Sequence, residues 1–291
     1  MATSCCPANS WGAPLQVSHG TKSLEGTKGK LCKIGPSKDL EIYVSRPSEE
    51  GSQKALCVLT DVYGLQSRLF AICDKLASEI NVTVVALDTF RGETKDDHFG
   101  SLQEFKEWLL CHPLERGVAE DGKSTIVYYP VKEDIESCFE FLLETYSIHS
   151  SNVGAVGFCW GTWALTKASQ MKLFSCGVGF HPSIRIESDV FGGDQEAIMK
   201  EAADNAPILF CVAGNDLDNL KASKDGTLAR IIASSSNAKE TSEGDKASPR
   251  CVEFAEMMHG WVSRGDTSIK KVEEDAEAAL NSAVDFLKHW M

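Results

Sequence analysis

The chain has 291 residues, 43% hydrophobic and 24% charged. That is the balance of a globular protein with a sizeable core, and it leaves disordered, fibrous and membrane-spanning classes without support. Twenty-nine Lys and Arg against 42 Asp and Glu give a net charge of −13, so no broad nucleic-acid or anionic-membrane surface is expected, because such surfaces are built from clustered cations. Residues 1 to 30 show no periodicity and read as an irregular arm, with one domain expected over 31–291. Leu40–Val44 alternates as a strand, and Ala55–Thr60 is a short apolar run of the kind buried on both faces of a sheet. Arg68–Ile80 carries helical spacing, and Val82–Leu87 is a second buried strand. Ser101–Leu110 and Lys132–Tyr146 follow as helices, then strand Val153–Phe158 runs directly into helix Trp160–Met171. Strands Cys176–Phe180, Ile208–Ala213 and Arg250–Phe254 and a closing helix, Ile269–Trp290, complete the series. Alternating buried strands and helices predict an α/β fold, a mostly parallel sheet covered by helices on both faces. The stretches 91–130 and 220–249 are longer than plain connections require and are candidate lids.

Eleven cysteines, an odd number with no C-x-x-C pair, suggest neither a disulfide framework nor a metal cage. No signal-peptide-like run opens the chain, and no 18 apolar residues run together; a reducing, cytoplasmic compartment is expected. One cysteine stands apart. Gly157-Phe158-Cys159-Trp160-Gly161 lies between a strand and a helix, the context of a nucleophile elbow. Such a turn lifts the central side chain above the sheet edge and sets it at a helix N-terminus, where partial positive charge favours thiolate.

A thiol nucleophile needs a base and an acid that orients the base. Strand Ile208–Ala213 releases into Gly214-Asn215-Asp216, and Arg250–Phe254 leads to Met258-His259-Gly260. Cys159, Asp216 and His259 then follow the chain order nucleophile, acid, base. Asp218 lies in the same turn as Asp216 and is its rival. His181, at the end of another strand, is read as a structural or pocket-wall residue. His19, His98, His112, His149 and His289 fall in polar segments or near the end of the last helix and are read as exposed. The backbone N–H groups of Trp160 and Val62 are the expected oxyanion donors, and Arg91 and Arg264 are candidates for holding a substrate carboxylate.

These residues resemble the dienelactone hydrolases (carboxymethylenebutenolidases), single-domain α/β-hydrolases with a Cys-Asp-His triad. The resemblance runs from about residue 30 to 291. It is carried by the Cys159 elbow, by Ala213-Gly214-Asn215-Asp216, by His259-Gly260-Trp261, by Asp61-Val62-Tyr63-Gly64 and by Asp88-Thr89-Phe90-Arg91. Cys5-Cys6-Pro7 is similar to the start of many eukaryotic members. The resemblance implies Cys159 as nucleophile, His259 as base and Asp216 as acid. It adds Asp61, where the family usually has Glu, to the residues facing the substrate. The implied reaction is opening of a small ester, lactone or enol-lactone through an acyl-cysteine, with no cofactor or metal. The alternative reading is a hydrolase-fold protein that binds a small molecule or senses oxidants through Cys159 without turnover. Monomer and homodimer remain equally open.

Overall fold

The structure, a computed structural model, describes residues 6–7, 9–12, 23–47, 52–97, 101–115, 130–224, 226–240 and 247–291. Cys5, His19, His98 and parts of both candidate lids lie outside the described residues. In chain order the strands are β1 (Lys30–Ile34), β2 (Leu40–Ser45), β3 (Ala55–Leu59), β4 (Thr83–Leu87), β5 (Val153–Phe158), β6 (Gly177–Phe180), β7 (Ile208–Ala213) and β8 (Arg250–Phe254). The helices are α1 (Ser67–Ile80), α2 (Leu102–Leu110), α3 (Val131–Tyr146), α4 (Trp160–Gln170), α5 (Ile186–Asp189), α6 (Gln195–Asn205), α7 (Thr227–Ala233), α8 (Trp261–Arg264) and α9 (Lys270–Trp290).

The strands form one sheet in the order β1-β2-β4-β3-β5-β6-β7-β8. β1 pairs antiparallel with β2, and β2 antiparallel with β4; every pairing from β4 to β8 is parallel. The α/β class with a mostly parallel sheet therefore stands. Its central strands are buried on both faces by alternation. Ala55, Cys57 and Leu59 of β3 pack into one core layer and Leu56 and Val58 into the other. The first layer is closed by Ile135 and Leu142 of α3, Trp163 and Ala164 of α4 and Met199 of α6. The second is closed by Leu69, Phe70 and Leu76 of α1 and by Ala276, Leu280 and Leu287 of α9.

Two features extend the sequence reading. β1 begins at Lys30, inside the stretch read as an arm, because its five residues complete a hairpin with β2 whose partners run from Lys30↔Val44 to Ile34↔Leu40. α6 is held at its start by Asp194, whose carboxylate accepts from the Glu196 and Ala197 N–H groups at 2.8 and 3.3 Å, a cap that satisfies two otherwise orphaned donors. Because β3 to β8 are parallel, their carboxyl ends share one edge, where α/β sheets place their ligands.

Candidate active site

That edge collects the residues singled out above. Asp61 and Val62 follow β3, Cys159 follows β5, His181 follows β6, Asp216 follows β7 and His259 follows β8. The elbow at Cys159 has φ 52° and ψ −111°, a conformation that an L-residue holds only when its surroundings over-determine it. They do so here. The Cys159 N–H donates to the Phe180 carbonyl at 3.0 Å, and Thr162 Oγ1 donates to the Gly157 carbonyl at 3.0 Å. A methyl group on Gly157 would lie 2.5 Å from the Gly161 oxygen, and one on Gly161 would drive into the Leu59 carbonyl. Both glycines of the motif are therefore steric requirements.

His259 and Asp216 meet in a buried pair, Nδ1 to Oδ1 at 2.6 Å. The second Asp216 oxygen accepts from the Ala213 N–H at 2.7 Å, and Asn215 Oδ1 accepts from the His259 N–H at 2.6 Å. With Nδ1–H turned to the carboxylate, Nε2 is the nitrogen left for chemistry, and a ring nitrogen of His259 lies within 4.8 Å of the Cys159 sulfur. Burial works against charge on this imidazole, but Cys159 and Asp216 outweigh it and push its pKa well above the ordinary value. Asp218, the rival acid, is instead exposed and paired with Lys221 at 3.0 Å.

Among the described residues, neither the Val62 nor the Trp160 backbone N–H donates to a protein acceptor. Asp61 is buried and fully occupied: Oδ1 accepts from the Tyr63 N–H at 2.9 Å, and Oδ2 from Ser263 Oγ at 2.8 Å and Arg264 Nη1 at 3.2 Å. It acts as counter-ion to Arg264 in this structure. The Arg264 guanidinium lies 4.7 Å over the Tyr63 ring and is itself buried. Its Nε and Nη2 face no acceptor among the described residues, although buried donors without partners are costly. Burial opposes its charge, yet Asp61, then Cys6 and Cys159, hold its pKa above the ordinary value. His181 packs edge-on to His259 and Trp261 at centroid distances of 5.0 and 5.5 Å. Burial, then the positive charges of His259 and Arg264, push its pKa well below the usual histidine range.

Two expectations need correction. Arg91 is drawn away by a bidentate pair with Asp134 of α3, at 2.9 and 2.7 Å, with Asp39 at 3.5 Å on its other side. It ties the end of β4 to α3. His112 is buried, not exposed, because its ring packs edge-on against Phe90 at 4.8 Å and Trp108 at 5.5 Å. His149 and His289 are exposed as expected.

Sequence reasoning missed Ser183 and Cys6. Ser183 Oγ is 3.3 Å from the Cys159 sulfur, on a turn without a motif. Cys6 comes from the arm and brings its sulfur to 3.7 Å from that of Cys159. Its carbonyl accepts from Arg185 Nη2 at 3.2 Å, and the Trp11 N–H donates to the His259 carbonyl at 2.9 Å. The adjacent pair Cys5-Cys6 was its signal, but nothing local joins it to residue 159. With the arm in place Cys159 is fully buried. A nearby cavity lined by Pro7, Pro182, Ser183, Arg185, Asp216 and Leu217 has a volume of about 10 Å³, room for about one water.

The family model of the dienelactone hydrolase family matches residues 40–291. The chain belongs to this family. It is a dienelactone hydrolase-type carboxylic ester hydrolase, and its family acts on small ester or lactone substrates. It is 22% identical over 282 residues to the human carboxymethylenebutenolidase homolog, covering 96% of this chain and 98% of that one. It is 27% identical over 178 residues to the hydrolase pyvD of Aspergillus violaceofuscus, covering 60% and 64%. Among solved structures, one described as a dienelactone hydrolase of Klebsiella pneumoniae superposes with a TM-score of 0.60 at 15% identity over 88% of this chain and 99% of that one. An esterase of Pyrobaculum calidifontis gives 0.52 at 12% over 93% and 87%. The structural likenesses speak for the α/β-hydrolase fold. No helix among the described residues of this dienelactone hydrolase is long and apolar enough to cross a membrane.

Proposed function

We propose that this hydrolase opens esters, lactones and enol-lactones through an acyl-enzyme on Cys159. The observation that carries the reading is the buried His259–Asp216 pair at 2.6 Å, with a His259 ring nitrogen within 4.8 Å of a sulfur on a strained elbow. The Cys159 thiolate attacks the carbonyl carbon, forming a C–S bond while the oxyanion accepts from the Val62 and Trp160 N–H groups. Collapse breaks the ester C–O bond, and the His259 imidazolium gives its proton to the leaving oxygen. His259 then takes a proton from water, hydroxide attacks the thioester, and the thiolate leaves. Asp216 holds the imidazole in the tautomer that this sequence needs.

The buried Arg264 Nε and Nη2, without an acceptor among the described residues, support a substrate that carries a carboxylate, with Asp61 keeping the fork in place. Cys159 is fully buried, with Cys6 of the arm 3.7 Å from its sulfur, so substrate entry requires this contact to open. The reaction is tested by Cys159→Ala assayed on activated aryl esters and small lactones. Loss of at least about 10³-fold in kcat/KM is expected, and full activity would overturn the reading. The closed site and the second thiol also favour a second reading, in which Cys159 binds or senses without turnover. His259→Ala separates the two, since hydrolysis collapses in the first and ligand binding persists in the second.

A further inference from the structure

The described cysteines are thiols rather than disulfides. Cys6 Sγ, Cys159 Sγ and a ring nitrogen of His259 all lie within 4.8 Å of one another, and all three residues are buried. Nδ1 of that histidine is engaged by Asp216 at 2.6 Å, while Nε2 has no hydrogen-bond partner among the described residues. A buried imidazole nitrogen, aimed into a pair of thiols and oriented from behind by a carboxylate, is the carboxylate–histidine–metal arrangement of zinc sites.

The sulfur spacing, that of two thiols in hydrogen-bond contact, also suits a shared ion. With zinc–sulfur bonds of about 2.3 Å, two thiolates on a tetrahedral ion sit about 3.8 Å apart. The observed separation is 3.7 Å. A disulfide would instead need the sulfurs to close to about 2.05 Å. Two thiolates and an imidazole also form a soft donor set, which selects zinc over magnesium or calcium.

We propose that Cys6, Cys159 and His259 Nε2 form a reversible Zn²⁺ site completed by the N-terminal arm, with a fourth position open to water. Both cysteines bind the ion as thiolates, so binding releases protons and affinity rises with pH. Two thiolates then balance the charge of the ion. On the reading above, the metal takes up both nucleophile and base and silences the hydrolase. Zinc and substrate are therefore mutually exclusive.

The test uses reduced, metal-free, full-length protein titrated with Zn²⁺ against a chromophoric chelator and with Co²⁺ as a spectroscopic probe. One equivalent is expected to bind, with tetrahedral Co²⁺ bands and thiolate-to-metal charge transfer. Cys6→Ser should weaken zinc by more than about 100-fold, since loss of an outer-sphere partner alone costs about 10–100-fold, and should lower the charge-transfer intensity. Equal affinity in the wild type and Cys6→Ser, or octahedral cobalt without charge transfer, would overturn the site. So would a Cys6–Cys159 disulfide formed under peroxide by a protein with no zinc affinity. These readouts do not use activity. A tight site in a protein that hydrolyses no ester or lactone removes the functional reading and leaves the site standing. Undiminished hydrolysis with one equivalent bound removes the silencing.

Discussion

Asp216→Asn isolates what the acid contributes. Asp216 and His259 are both about 1% exposed, and their 2.6 Å bond is charge-assisted when the imidazole is protonated. Removing a charge about 4 Å from the imidazolium at an effective dielectric of about 20 forfeits about 4 kcal/mol, close to 10³-fold in rate. Asn adds a second fault. If its oxygen keeps the Ala213 N–H, its NH₂ faces Nδ1, and the imidazole is driven to the tautomer with Nε2 protonated, which cannot accept a proton from water. The combined loss in kcat/KM is expected at about 10³–10⁴-fold, measured from initial rates on an activated aryl ester across the pH range. Asp218→Asn, at an exposed position paired with Lys221, should stay within about twofold of wild type. An Asp216→Asn enzyme within about tenfold of wild type would refute the reasoning.

Three further outcomes follow from the same geometry. Arg264→Lys keeps the charge near Asp61 but loses the planar fork; KM for a carboxylate-bearing lactone should rise at least about tenfold, with little change for a neutral ester. Asp74 on α1 accepts from the Lys28 N–H at 2.7 Å, Tyr43 Oη at 2.8 Å and Ser45 Oγ at 2.5 Å. Asp74→Ala strands these donors and should cost about 2–4 kcal/mol in urea unfolding; a loss below about 1 kcal/mol would contradict that accounting. His259 has a raised pKa in the folded protein, so the folded state binds this proton more tightly than the unfolded chain. Its stabilising contribution is fully present below the unfolded value of about 6.5 and is lost as pH rises through the folded value. The stability difference between wild type and His259→Gln should shrink upward from that pH, and a constant difference would refute it.

The sheet was legible because β3, β4, β5 and β7 are short, mostly apolar runs, ending at a loop or, for β5, at the elbow. The elbow was legible because its glycines are fixed by contacts within a few residues and with the neighbouring strand. What escaped depends on long-range pairing. β1 has no apolar alternation of its own and exists through its register with β2. Arg91 and Arg264 look alike in sequence as single arginines after strands, yet Asp134 takes one and the other is buried with two nitrogens that meet no acceptor among the described residues. Only the fold carries Cys6 to Cys159, 153 positions away.

Mass spectrometry of the intact enzyme, quenched in acid during turnover of an activated ester or a small lactone, tests the covalent mechanism most directly. The account predicts a mass increase of one acyl group, mapped to Cys159 by peptide sequencing and missing in Cys159→Ala. Continued turnover by Cys159→Ala, with no acyl group on the wild-type cysteine, would contradict it.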